Sequence, residues 1–289
     1  MNLVIRILVA VAASLSFGAA SAAGAGYPLD PFPTHKLTDE PSLQNGAKLF
    51  VNYCLNCHSA SLMRYNRLRD IGLTDEQIRQ YLVLDPNGKV GDLMKIAMRP
   101  ADSKVWFGAT PPDLSVTARA RSSGAGSGAD WIYTYLRSYF RDGTRPTGWN
   151  NAVFEGVGMP NVLWELQGMR GATLEEVKEV SEPAANGGAS FAKSTVVFDA
   201  QGDRTETTEK LEGHDAHPSR HWTLGNAQGG KLSQAEFDAT VADLTAFLAY
   251  MSDPSARTRV RLGVWVLLFL GVFTVFAWML NREYWKDIK

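Results

Sequence analysis

The sequence predicts a mainly α fold that ends in one transmembrane helix. Three observations carry this prediction. Apolar residues recur three and four apart through the middle of the chain, helix-capping residues stand at the heads of those runs, and a long apolar block lies near the C-terminus. The first element in order is Met1 to Ala22, with an early Arg6, an apolar stretch from Ile7 to Phe17 and the small residues Ala20-Ser21-Ala22. That pattern predicts a secretory signal peptide over 1–22, as in a bacterial envelope protein.

Ser42 is placed to cap a helix in which Leu43, Gly46, Ala47, Phe50 and Cys54 share one face. Thr74 and Gln77 form a capping box for a short helix ending near Asp85-Pro86-Asn87-Gly88. A third helix is expected over Asp130 to Arg141, with Ile132, Tyr135, Leu136, Tyr139 and Phe140 inward. Gly171 to Asp215 follows, with ten acidic residues against four basic ones. Within it Thr195–Phe198 and Arg204–Thr208 alternate around Gln201-Gly202-Asp203, which predicts a small β-hairpin. Ser233 and Glu236 open a fourth helix carrying Phe237, Val241, Leu244, Leu248 and Met251, and Asp253-Pro254 stops it.

Val260 to Leu280 is 21 residues long, and its one charge is Arg261 at the start. At about 1.5 Å per residue it matches the roughly 30 Å of a bilayer's hydrocarbon core, so a membrane-spanning helix is expected over 260–280. Trp265, Trp278, Tyr284 and Trp285 lie toward its ends, where amphipathic rings favour the interface. Basic residues flank both ends, so orientation follows from the signal peptide: 23–259 is expected in the periplasm and 281–289 in the cytoplasm. Elsewhere 29 basic side chains balance 30 acidic ones in 289 residues, which leaves no electrostatic footprint for nucleic acid.

Cys54-Leu55-Asn56-Cys57-His58 holds both cysteines of the chain. C-x-x-C-H is the attachment pattern of a c-type haem. Each thiol can form a thioether to one vinyl group of the porphyrin, and the adjacent histidine reaches the iron. A zinc site would need further soft ligands, and no third cysteine exists. A thioredoxin-like pair would follow a strand, whereas the residues before Cys54 have a helical pattern. A Cys54–Cys57 disulfide would leave His58 without a role. The expected cofactor is one covalently bound haem c.

A sixth iron ligand must fold back over the opposite face of the ring. Met63 is too near in sequence, Met251 belongs to a packed helix and Met279 to the membrane. Met94 and Met98 fall in a stretch expected to be helical. Met159 lies in Gly156-Val157-Gly158-Met159-Pro160, where glycines and proline favour a loop that can approach a flat ring. Met159 and Met98 both stay open on this reading. His214, His217, His221 and His35 read as solvated histidines.

Gly46 and Phe50 before the motif, with Phe247 and Tyr250 on the last exported helix, resemble the crossing of first and last helices in class I c-type cytochromes. Met98-Arg99-Pro100, Gly108-Ala109-Thr110-Pro111-Pro112-Asp113-Leu114-Ser115, Arg119-Ala120-Arg121, Gly158-Met159-Pro160 and the C-terminal span narrow the resemblance to the cytochrome c1 family, the haem subunit of bacterial cytochrome bc1 complexes. The resemblance implies a class I cytochrome c-like domain with loop insertions, and residues 171–230 look expanded against that pattern. It implies Met159 as axial ligand opposite His58, Arg121 at a haem propionate with Arg119 as the alternative, and Pro112 in the haem pocket. A proline carbonyl there is free to accept from the outward nitrogen of His58. It also implies electron transfer rather than bond chemistry by this chain itself. The implied partners are cytochrome b, the Rieske iron-sulfur protein and a soluble or tethered cytochrome c, within a dimeric complex, the last drawn by the acidic surface of 171–215.

Overall fold

The computed structural model describes residues 27–180, 190–211 and 217–287. The expected signal peptide, His214 and part of the acidic stretch lie outside the described residues. Helix α1 runs Glu40–Leu49, and Asp39 rather than Ser42 caps it, accepting from the Ser42 N–H at 3.1 Å. Starting at Asp39 gains a turn and puts Pro41 in the first turn, where its missing N–H costs nothing. Ser42 is buried and accepts from Lys36 Nζ. The helix then widens into a π turn over Phe50–Cys54, closed by Leu55 N–H to the Phe50 carbonyl at 2.9 Å. Such local widening is frequent at functional sites.

After the cysteine motif, strand β1 (Ala60–Arg64) pairs antiparallel with β2 (Leu93–Met94). Between them α2 (Asp75–Tyr81) starts in the expected Thr74–Gln77 capping box but stops short of Asp85. Met94 therefore sits in a strand and Met98 in a loop, not in the helical stretch that the sequence suggested. Short helices α3 (Pro100–Phe107) and α4 (Thr117–Ala120) lead to α5 (Gly128–Arg137), where Ser127 and Asp130 form a capping box.

The expected helix over Asp130–Arg141 ends early. Tyr139–Arg141 is strand β3, paired with β4 (Trp149–Asn151). Consecutive strand residues point to opposite faces, so Tyr139 enters the main apolar cluster while Phe140 enters a second one. The periodicity of inward residues was legible there; its period was not.

Helix α6 (Trp164–Gln167) precedes β5 (Gly168–Met169). The acidic stretch holds more than a hairpin. Strands β6 (Ala172–Val180), β7 (Ser190–Phe198), β8 (Arg204–Leu211) and β9 (Ser219–Leu224) form one antiparallel sheet in the order β8-β7-β6-β9. The expected hairpin is its β7–β8 half. Several acids there are already paired: Glu175 with Lys193 at 2.7 Å, Glu176 with Lys178 at 2.8 Å and Glu206 with Arg204 at 2.5 Å. Strand β10 (Gln228–Gly229) pairs with β5, and α7 (Gln234–Ser252) follows from its Ser233–Glu236 capping box.

Helices α1 and α7 cross at Gly46. A Cβ there would lie 2.1 Å from the Asp243 carbonyl oxygen and 2.7 Å from Phe247 Cβ, so only glycine permits the approach. Phe50 and Phe247 lock the crossing with ring centroids 5.6 Å apart. Helix α8 (Ala256–Tyr284) includes Thr258–Tyr284, 27 residues long and apolar enough to cross a membrane, with none of its apolar window covered by the rest of the protein.

Candidate functional site

The helix crossing and the π turn fix where the cysteine motif sits. Cys57 N–H and His58 N–H both donate to the Cys54 carbonyl, at 3.1 and 2.9 Å, folding the five residues into a tight turn. Both thiols are free: Cys54 is buried and Cys57 half-buried. Burial, with a smaller contribution from Cys57, pushes the Cys54 thiol up to about 12.

His58 is 8% exposed, and its Nδ1 lies 2.7 Å from the Pro112 carbonyl oxygen. A carbonyl only accepts, so Nδ1 carries the proton and Nε2 keeps its lone pair. Burial holds the imidazole pKa below its ordinary value, although the Pro112 carbonyl and Asp113 pull the other way. A neutral ring with a directed Nε2 is what an iron ligand requires.

The Pro112 carbonyl is itself held in place. Leu114 N–H donates to the Ser59 carbonyl at 2.9 Å, Ser61 N–H to Asp113 Oδ2 at 2.8 Å and Leu62 N–H to Ser115 Oγ at 3.0 Å. The 112–115 segment is thus laced to the residues directly after the motif, which explains the Pro-Pro-Asp-Leu-Ser run chemically. Burial tends to raise the Asp113 carboxyl, but hydrogen bonds from Ser115 and Ser61 hold it below its ordinary value.

A second group of side chains gathers around Met159, which packs against the same apolar cluster as Cys54. Tyr135 Oη lies 3.5 Å from Met159 Sδ, Tyr139 Oη 3.2 Å from the Met159 carbonyl oxygen and the two phenol oxygens 2.6 Å apart, so two O–H protons are shared among three contacts. The thioether retains a second lone pair for a metal. Trp131 stacks on Tyr135, and the Arg121 guanidinium lies over Trp131 at 4.3 Å and faces Phe154 at 5.9 Å. The structure therefore joins Met159 to Arg121 through Tyr135, which the sequence places inward without a role at the site, and Trp131, which the sequence does not single out. The arrangement suits a flat macrocycle with an anionic edge, since Phe154, exposed and apolar, stands beside the Arg121 guanidinium.

Other candidates fall outside this grouping. Met94 and Met63 are buried in the core, and Met98 is only half-buried and lies in its loop. His35, His217 and His221 are exposed. Among the described residues no three His, Cys, Asp or Glu side chains gather into a bare metal site.

Residues 32–170 and 230–288 match the sequence profile of the Cytochrome C1 family. A cytochrome c1 of Allochromatium vinosum is 40% identical over 253 residues, 87% of this chain and 86% of that protein. A protein of Nitrosomonas europaea named ammonia monooxygenase gamma subunit is 38% identical over 269 residues, 93% of this chain and 92% of its own. A cytochrome c1 of Rhodospirillum rubrum is 26% identical over 270 residues, 87% and 83% of the two chains.

Proposed function

Because this chain belongs to the cytochrome c1 family, we propose that Cys54 and Cys57 hold its haem c covalently and that His58 and Met159 close the iron from either side. The family's members are membrane-anchored haem subunits that carry electrons, and here the single C-terminal apolar helix is the anchor. Haem iron supplies a one-electron couple when bound. Two protein ligands leave it no open position for oxygen or peroxide, so the chain performs no bond chemistry of its own.

The residues divide the work. Pro112 orients His58 through Nδ1 and so raises the donor strength of Nε2. Tyr135 and Tyr139 fix the Met159 thioether and its backbone. Arg121, held by Trp131, supplies positive charge for a propionate. A thioether on the sixth position favours ferrous over ferric iron relative to a second imidazole, placing the couple at the oxidising end of a chain.

Electrons arrive from a Rieske iron-sulfur protein beside cytochrome b and leave to a soluble or tethered cytochrome c, with the subunit working in a dimeric quinol:cytochrome c reductase. The haem domain faces the periplasm, after removal of residues 1–22. The observation that supports the His58 assignment is the 2.7 Å contact of its Nδ1 with the Pro112 carbonyl, which leaves Nε2 unprotonated and available to a metal.

Met159→Leu tests the assignment. The variant should keep covalent haem, lose the sulfur-to-iron charge-transfer absorption, show a lower midpoint potential and bind carbon monoxide when reduced. A variant with wild-type potential and absorption would exclude Met159. The name of the Nitrosomonas europaea relative raises a second reading, service in an ammonia-oxidising complex. Haem reduction in isolated membranes by quinol, and not by ammonia, separates the two.

A further inference from the structure

The family match passes over residues 171–229, the segment that folds as the four-stranded sheet, yet that sheet is joined to the loop carrying Met159. Glu155, four residues before Met159, accepts two hydrogen bonds from β9: from Trp222 Nε1 at 2.9 Å and from the Arg220 guanidinium at 2.6 Å. Trp222 is buried in the second apolar cluster with Phe140, Ala152 and Phe198, and Arg220 is steered from behind by Glu176 on β6 at 3.7 Å. Both donors are thereby fixed by the sheet, while the acceptor belongs to the loop. Loop and strand face each other across a cleft of about 310 Å³ that Tyr27 and Phe154 also line.

The loop's other ties come from its own neighbourhood. Asn151 Oδ1 accepts from the Val153 and Phe154 N–H groups, Asn150 Oδ1 from Gly156 N–H, and Arg145 donates to the Gly156 carbonyl. These set the local turn, but they all rise from the β3–β4 ribbon, a two-stranded unit that is weak on its own. The far end of the loop is tied to the main core, where Val157 is buried and Tyr135 of α5 reaches Met159; Glu155 adds a separate tie, to the four-stranded sheet.

We propose that Glu155 is a positioning residue for the Met159 ligand, and that the sheet inserted at 171–229 serves as a brace which, through Arg220 and Trp222, holds the methionine loop against the iron. This rests on Met159 being the axial ligand. A metal–thioether bond persists only while the loop stays near it. A tether that narrows the loop's excursions keeps the sulfur at high effective concentration.

The test uses the full-length holoprotein with Glu155→Gln, Trp222→Phe and, as a control elsewhere in the same sheet, Lys193→Gln, which breaks the Glu175 pair. Readouts are the ferric sulfur-to-iron absorption as temperature rises, the midpoint potential, and amide hydrogen exchange of the 152–160 peptide. Glu155→Gln and Trp222→Phe should keep covalent haem, lose the absorption at lower temperature, show a lower potential and exchange about five- to tenfold faster in that peptide, the factor expected for the net loss of one ordinary hydrogen bond. Lys193→Gln should behave as wild type. Glu155→Gln leaves the buried indole in place and serves alone if Trp222→Phe does not fold. Wild-type behaviour of Glu155→Gln, or an equal loss in Lys193→Gln, overturns the brace. Absence of the absorption from the wild-type protein overturns the Met159 assignment itself, and the brace with it.

Discussion

Two hydroxyl groups meet over Met159, and each has a partner that the other supports. Replacing Tyr135 by Phe removes the hydroxyl beside Met159 Sδ and the partner of Tyr139 Oη, but Tyr139 keeps the Met159 carbonyl. The expected cost is about 1 kcal/mol, read by denaturant unfolding of the holoprotein. The C-x-x-C-H motif was legible in the sequence because covalent spacing is a local property, whereas the Gly-Val-Gly-Met-Pro loop by itself left Met159 and Met98 both open and only the family resemblance chose between them. The proline carbonyl at His58 was legible as a chemical expectation, and the structure supplies its distance. Trp131 and Tyr135 were not legible at the site. Their spacing on α5 says only that they face inward, and what they meet there depends on a loop more than twenty residues away.

At the level of elements, the crossing of α1 and α7 gives a sharp expectation. Gly46→Ala places a methyl group 2.1 Å from the Asp243 carbonyl oxygen, far inside van der Waals contact with backbone that cannot retreat, so the helices must separate. The loss should be about 3 kcal/mol, seen as a lowered denaturation midpoint. The joint between α7 and α8 makes a pH prediction. Arg259 hydrogen-bonds Asp253 and, despite slight desolvation, holds its carboxyl down to about 2, against an ordinary 3.8. A depressed carboxyl contributes fully above its unfolded value and loses that contribution as pH falls through the folded one, so this joint should weaken between pH 3.8 and 2. Thermal melting against pH should show that acid limb in wild type, and Asp253→Asn should flatten it. Capping boxes fixed the starts of α2 and α7 because their side chains bond within four residues. The end of α5 is not fixed by the sequence because Tyr139 and Phe140 are inward in either a helix or a strand, and only the two separate cores decide between them.

For the whole molecule, the apolar C-terminal helix stands apart from the rest of the described residues. None of its apolar window is covered by other residues, so a chain ending at Pro254 should be water-soluble, retain covalent haem and keep the wild-type absorption spectrum. Loss of the spectrum on truncation would mean that α8 supports the haem domain. From the sequence alone came the mainly α class, the haem motif, the methionine loop and the apolar anchor, since each is written in residues close along the chain. Only the tertiary structure made a four-stranded sheet out of an acidic stretch and set that sheet against the methionine loop. Pairings such as Glu155 with Arg220 join residues 65 apart, and long-range contacts of that kind leave no periodic trace in sequence.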